Sequence, residues 1–125
     1  MLGDYKRLIV YQKAFELAMQ IFELSKKFTA EEKYSLTDQV RRSSRSVCKN
    51  IAEAYRKRRY PAHFISKLSD VDMENSETNV WLEFSIKGNY LNEEQSVKLF
   101  SANEEIGKLL QHMMKYPSKF GVIKV

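Results

Sequence analysis

The amino-acid sequence predicts an all-α protein, an up-down antiparallel bundle of four helices. Apolar residues recur at the helical period in four successive stretches, and capping-box patterns precede several of them. The 125 residues include only four Gly and two Pro, too few for a sandwich of many short strands. Four amphipathic helices with short connections bury their apolar faces most simply in such a bundle.

The first predicted helix covers residues 5–28 and carries two neighbouring apolar stripes. The residues of one stripe are Tyr11, Phe15, Ala18, Met19 and Phe22. The residues of the other are Val10, Ala14, Leu17, Ile21, Leu24 and Phe28. Together they are wider than the apolar face of a simple surface helix, which favours contacts beyond a single bundle.

The second predicted helix, about residues 35–58, has an apolar face opposite a cationic face. Capping-box patterns at residues 29–32 and 35–38 precede it. Its core stripe contains Leu36, Val40, Ser43, Val47, Ile51 and Ala54. The opposite arc contains Arg41, Arg45, Lys49 and Arg56, with Arg42 at its edge, and the helix ends in Arg56, Lys57, Arg58 and Arg59.

The net charge of +5 is concentrated in this helix. Residues 41–59 contain eight Lys or Arg and one acid, whereas the rest of the chain contains 13 bases and 15 acids. A local excess of this kind is typical of a surface that binds an anionic partner, or of a solvated helix face.

The third predicted helix covers about residues 62–87, with Pro61 in its first turn and Gly88 as its C-cap. The predicted core face contains Phe64, Leu68, Val71, Asn75, Thr78, Leu82 and Ile86. The opposite face contains Met73, Val80 and Phe84, flanked by Trp81. An exposed apolar group of this size predicts a homo-oligomer interface, the alternative being scattered surface residues.

The fourth predicted helix begins at a capping box formed by Asn92 and Gln95 and stops before Pro117. Its single apolar stripe contains Leu99, Ala102, Ile106, Leu109, Leu110 and Met113. We therefore predict one bundle domain over residues 1–116. A tail follows at residues 117–125, either disordered or docked on a neighbour.

No catalytic or metal-binding constellation is present in the sequence. A di-iron bundle needs Glu-x-x-His, but neither His63 nor His112 follows a Glu at that spacing. Cys48 borders the core stripe and is interpreted as a small buried residue. Asn50 and Glu53 are interpreted as capping or bridging residues between helices. We therefore predict no enzyme activity, no cofactor and no metal.

The single cysteine excludes an internal disulfide and suits a reducing compartment. The N-terminal residues lack a run typical of a signal peptide, and no stretch is long and apolar enough to span a bilayer. These features predict a cytoplasmic protein without membrane contact.

The second helix also carries a resemblance to a known family. The run LTDQVRR at 36–42, Ser46-Val47 and the run NIAE at 50–53 resemble the bacterial four-helix-bundle proteins encoded in intervening sequences of 23S ribosomal RNA genes. Residues 8–28 and 64–77 look similar to the same family, so the resemblance covers about residues 5–115. It implies a left-handed bundle and a ring-shaped homopentamer. The family is related to the accessory protein of diversity-generating retroelements, a basic pentamer that binds nucleic acid and a reverse transcriptase.

Two functional hypotheses follow. The first is a non-enzymatic basic homo-oligomer that binds RNA or DNA by its phosphates. The residues assigned to that binding are Arg41, Arg42, Arg45, Lys49, Arg56, Lys57, Arg58 and Arg59. The second is a structural or protein-interaction scaffold, in which the basic face pairs with the acidic third helix of a neighbour or with a partner protein.

Overall fold

The computed structural model describes residues 4–122, which contain four long α-helices and no strand. The helices are α1 (Ile9–Ser25), α2 (Asp38–Arg56), α3 (Pro61–Lys87) and α4 (Glu93–Lys115). Short 3-10 turns lie at Asp4–Arg7, Ala30–Glu32 and Pro117–Phe120, and a π-helical turn, Lys33–Thr37, leads into α2. The predicted all-α class is confirmed.

The four helices pack around one apolar core. Both α1 and α3 contact α2 and α4, so α1 and α3 occupy diagonal positions. Helices α2, α3 and α4 bury the faces that their periodicity predicts, and α1 buries the stripe that contains Val10, Ala14, Leu17 and Ile21. The other predicted stripe of α1 leaves Phe15 and Met19 exposed. The most completely buried large side chains are Ile51, Phe64, Leu68, Leu82, Ile106 and Leu110. At about 1.5 Å per residue, the 27 residues of α3 make the bundle roughly 40 Å long.

Two polar pairs join α2 to α3 beside the apolar core. The Asn50 side-chain amide donates a hydrogen bond to the Glu74 carboxylate. The Glu53 carboxylate lies 3.3 Å from the Lys67 ammonium. Asn50 precedes Glu53 in α2, whereas Glu74, the partner of Asn50, follows Lys67, the partner of Glu53, in α3. The interpretation of Asn50 and Glu53 as bridging residues is therefore confirmed.

A reciprocal asparagine pair joins α3 to α4. The Asn75 amide donates to the Asn103 main-chain carbonyl at 3.0 Å, and the Asn103 amide donates to the Asn75 main-chain carbonyl at 2.9 Å. The Asn103 side-chain oxygen also accepts a hydrogen bond of 2.8 Å from Asn79. Because these polar groups are paired only at this alignment, the network fixes the position of α3 relative to α4 along the bundle axis.

The connection from α1 to α2 differs from the predicted capping boxes at residues 29–32 and 35–38. Thr29 shares a 3.0 Å hydrogen bond with the Tyr90 hydroxyl instead of capping a helix. The Ser35 hydroxyl donates to the Glu32 carboxylate at 2.7 Å. Helical hydrogen bonding passes through the π turn directly into α2, so α2 has no free N-terminus for a side chain to cap.

The ends of α3 and α4 follow the sequence more closely. Pro61 begins α3, and Asn92 forms the predicted capping box with Gln95. Gly88 is the C-cap of α3 with φ of −80°, and the left-handed residue is Asn89, with φ of 64°. Gly88 is needed for space, since a Cβ there would lie 2.9 Å from the Tyr90 ring.

The described part of the tail packs against its own bundle. The Arg58 guanidinium donates to the Phe120 main-chain carbonyl at 3.3 Å, and Val122 is buried. The rings of His112 and Phe120 are 6.0 Å apart. Residues 117–122 therefore contact their own bundle, whereas docking of the tail on a neighbouring copy stays a prediction, and residues 123–125 lie outside the described part.

Replacing Asn103 with Ala should lower the free energy of unfolding by roughly 2–4 kcal/mol, because it leaves the buried side-chain oxygen of Asn75 and the amide of Asn79 without partners. Replacing the half-buried Asn79 with Ala removes a single hydrogen bond and should cost about 1 kcal/mol. Urea denaturation of the two variants measures the difference. Equal costs would contradict the role given to the Asn75–Asn103 pair.

Candidate nucleic-acid interface

The predicted cationic residues lie on one side of α2 and on the turn that follows it. This α2 cationic surface consists of Arg41, Arg42, Arg45, Lys49, Arg56, Lys57, Arg58 and Arg59. The first five lie opposite the buried stripe of Val40, Val47 and Ile51, and the last three follow the end of α2. Six of the eight side chains are exposed, whereas Arg41 and Arg58 are partly buried.

The positive charge of this surface is almost unpaired. Among residues 4–122, Lys49 alone of the eight lies within 4.0 Å of a carboxylate, that of Glu53. The same carboxylate is closer to Lys67, at 3.3 Å. The α2 cationic surface therefore faces solvent with little internal neutralisation, which keeps its charge available to an anionic partner.

An aromatic residue of α1 holds two of the arginines in place. The Arg41 and Arg45 guanidinium groups lie 4.9 and 5.4 Å from the centre of the Phe22 ring. Arg41 also donates a hydrogen bond of 2.7 Å to the Ser25 hydroxyl. The sequence places Phe22 in a broad apolar stripe of the first helix, but only the packing of α1 on α2 shows that it supports the cationic surface.

Arg58 has a structural role in addition to its charge. Its guanidinium lies 3.6 Å from the centre of the Tyr55 ring and donates to the main-chain carbonyls of Tyr55 and Phe120. The same group lies so close to Gly121 that a Cβ there would be 2.7 Å from it. Arg58 thus attaches the chain after α4 to the end of α2.

The predicted oligomer interface on α3 lies mostly on the outside of the single chain. Met73, Val80 and Phe84 are 69%, 47% and 59% exposed. Trp81 is partly buried and packs against the core, and its indole N–H has no hydrogen-bond partner among the described residues. The exposed acids Asp70, Glu77 and Glu83 lie near this apolar group along α3.

The remaining chemistry-bearing residues do not converge. Within residues 4–122, no three His, Cys, Asp or Glu side chains are grouped closely enough to hold a metal ion. Burial raises the pKa of the Cys48 thiol to about 11, so the thiol stays protonated at neutral pH and is a poor nucleophile. His63 and His112 are exposed.

In the described part of the chain, no helix combines the length and the apolar character that a bilayer crossing requires.

Comparisons with known proteins agree with the resemblance. The chain is similar to a crystal structure, at 1.70 Å resolution, of a protein with unknown function from the S23 ribosomal protein family of Bacteroides thetaiotaomicron. The two are 35% identical with a TM-score of 0.77, and the match covers 86% of this chain and 99% of the other. No curated protein matches. The family described as 23S rRNA-intervening sequence protein matches residues 6–112. The chain therefore belongs to the 23S rRNA-intervening sequence protein family.

Proposed function

We propose that this protein is a non-enzymatic, basic homo-oligomer that binds RNA or DNA through the phosphate backbone at the α2 cationic surface. The observation that carries the proposal is the lack of internal neutralisation, since among residues 4–122 only one of the eight cations has a carboxylate within 4.0 Å. The chain has 16 acids, yet only one lies within residues 41–59. Like charges held together on a fixed helix repel one another, and a polyanion relieves that repulsion.

The side chains on this surface suit phosphate chemistry. Six of the eight are arginines, whose forked guanidinium groups can donate two parallel hydrogen bonds to one phosphate. Phe22 and Ser25 hold Arg41 in one orientation, which lowers the entropic cost of binding. Contacts of this kind position a backbone and carry no base information, so we expect binding without sequence preference.

We further propose that the bundle is left-handed with an up-down antiparallel course, and that five copies form a ring in the cytoplasm. The handedness and the pentamer follow from the family resemblance. The physical support for assembly is the exposed group of Met73, Val80 and Phe84 on α3. A ring would repeat the α2 cationic surface and so raise the apparent affinity for a long polyanion.

One observation favours the alternative of a protein scaffold. The exposed acids near the apolar group of α3 are complementary in charge to the α2 cationic surface of another copy, or to a basic partner protein. In that case the cations would be used within the assembly and would not reach nucleic acid.

Charge reversal at Arg42, Arg45 and Lys49 should abolish most binding to RNA and duplex DNA, because these three exposed cations are replaced by acids. We expect at least a tenfold loss at low salt and a shallower dependence of affinity on salt, since fewer counterions are released. Fluorescence anisotropy with labelled oligonucleotides measures both quantities.

The matched control reverses Lys87, Lys98 and Lys108, which are exposed on α3 and α4 and change the net charge equally. If both triple variants lose affinity alike, net charge and not the α2 cationic surface governs binding. If wild-type protein binds neither RNA nor duplex DNA at low salt, the proposed function is wrong. If the Arg42, Arg45 and Lys49 variant separates into monomers, the scaffold alternative is correct.

A Phe84→Glu change should dissociate the oligomer, because a carboxylate would replace a ring in the apolar group of α3. Light scattering should give a mass well above 14.7 kDa for wild-type protein and a mass near it for the variant. Circular dichroism should show unchanged helix content. Val97→Glu, at a similarly exposed position on α4, is the control and should leave assembly intact. A monomeric wild type would contradict the proposed interface.

A further inference from the structure

Cationic residues from segments far apart in the sequence lie together at one end of the bundle. The basic end is formed by the turn Asp4–Arg7, the end of α2, the start of α3, the end of α4 and the turn Pro117–Phe120. The Arg58 contacts with Phe120 join the α2 end to the last of these segments. The Asp4–Arg7 turn contacts both α1 and α2.

The basic end contains almost no acid. The segments that form it contribute eight cations: Lys6, Arg7, Arg56, Lys57, Arg58, Arg59, Lys115 and Lys119. Asp4 is the only acid in these segments, and the sequence has none at residues 54–69 or after Glu105. Seven of the eight cations are exposed, and Arg58 is partly buried. Four of them, Lys6, Arg7, Lys115 and Lys119, do not belong to the α2 cationic surface, which therefore continues onto a broader basic area.

The opposite end differs in charge. Residues 26–38 and 83–94, which form it, contain four bases and six acids. The two ends are separated by roughly the 40 Å length of α3. Since charges are screened over about 8 Å at physiological ionic strength, each end presents its own field to a partner.

Helix dipoles do not account for this asymmetry. Cations are favoured at helix C-termini, and α2 and α4 both end at the basic end. However, α1 and α3 begin there, so two N-termini oppose two C-termini and the helix dipoles largely cancel. The excess of cations is therefore not a requirement of the fold.

The basic end also exposes aromatic rings. Tyr60 and Tyr116 are 57% and 40% exposed. The Lys119 ammonium lies 4.5 Å from the centre of the Tyr116 ring, and the His63 ring lies 5.7 Å from that of Tyr60. The Tyr116 ring also contacts Lys115 and His112, at 5.5 and 5.0 Å from its centre, but it remains exposed. The Phe22 ring beside α2, by contrast, is partly buried under Arg41 and Arg45.

We propose that the basic end binds single-stranded nucleic acid, with its phosphates on the cations and unpaired bases stacked on Tyr60 and Tyr116. This inference rests on the proposed function and assigns it a substrate class. Cations beside exposed aromatic planes are the combination that binds single strands without sequence preference. A duplex keeps its bases stacked inside, so it can use the cations but not the rings.

The test compares two neutralised variants that each lose three charges. The end variant carries Arg59→Gln, Lys115→Gln and Lys119→Gln, and the side variant carries Arg42→Gln, Arg45→Gln and Lys49→Gln. Anisotropy is measured with labelled oligouridine, oligodeoxythymidine and a paired duplex of equal length. The end variant should lose at least tenfold in affinity for both single strands, and the slope of log affinity against log salt should become smaller by about 2. Its loss of affinity for the duplex should be much smaller. The affinity of the side variant for single strands and for the duplex should fall by similar factors.

Aromatic variants separate stacking from charge. Tyr60→Ala and Tyr116→Ala should each weaken single-strand binding by roughly fivefold or more and leave duplex binding unchanged, whereas Tyr60→Phe should bind like wild type. Circular dichroism confirms that each variant is folded. Polyglutamate, a polyanion without bases, should bind more weakly than oligouridine and should not respond to Tyr60→Ala.

The outcomes distinguish this inference from the proposed function. The basic end is not a single-strand site if the end variant loses affinity for single strands and for the duplex equally, or if Tyr60→Ala and Tyr116→Ala leave single-strand affinity unchanged. In either case the α2 cationic surface still binds phosphate. If polyglutamate binds as tightly as oligouridine, the basic end is a site for acidic protein segments. If wild-type protein binds no nucleic acid, both proposals are wrong.

Discussion

The structure depends on the complete burial of one narrow face of α2. Val40, Ile51 and Ala54 have almost no exposed surface, and the small Ser43 and Ser44 are buried beside them. Small side chains allow α1 and α3 to approach α2 closely, and the buried hydroxyls are satisfied by hydrogen bonds, as in the 2.9 Å bond from Thr78 to Ser43. Because this face cannot rotate toward solvent, the charged residues of α2 are held on the outside.

The burial of this face explains how the bundle can hold so concentrated a charge on the outer side of α2. The apolar core and the paired asparagines of α3 and α4 hold the helices together without using the cations of α2. Three arginines are exceptions, since Arg41 and Arg45 pack on Phe22 and Arg58 attaches the last described turn of the chain. The other cations of this surface are exposed to solvent, and the described ends of the chain add further cations beside them.

The fold and the family of this protein are supported by its similarity to known proteins, whereas its proposed binding sites are supported by the chemistry of its surface. The similarity to the Bacteroides thetaiotaomicron structure extends over nearly all of that protein and establishes a shared fold and family. That protein is described as having unknown function, so the similarity carries no ligand. The proposals of phosphate binding and of a single-strand site therefore rest on charge, exposure and aromatic placement in this chain.

The sequence by itself determined the four helices, their buried faces and the outward position of the α2 cations, because helical period and burial are local properties that a residue pattern records. Only the tertiary structure decided which distant segments meet. It placed Phe22 under Arg41, paired Asn75 with Asn103, and led the chain into α2 through a π turn where capping boxes are predicted. It also joined both ends of the described chain to the end of α2. These contacts depend on helix packing and on the approach of residues far apart in the chain, which no local pattern encodes.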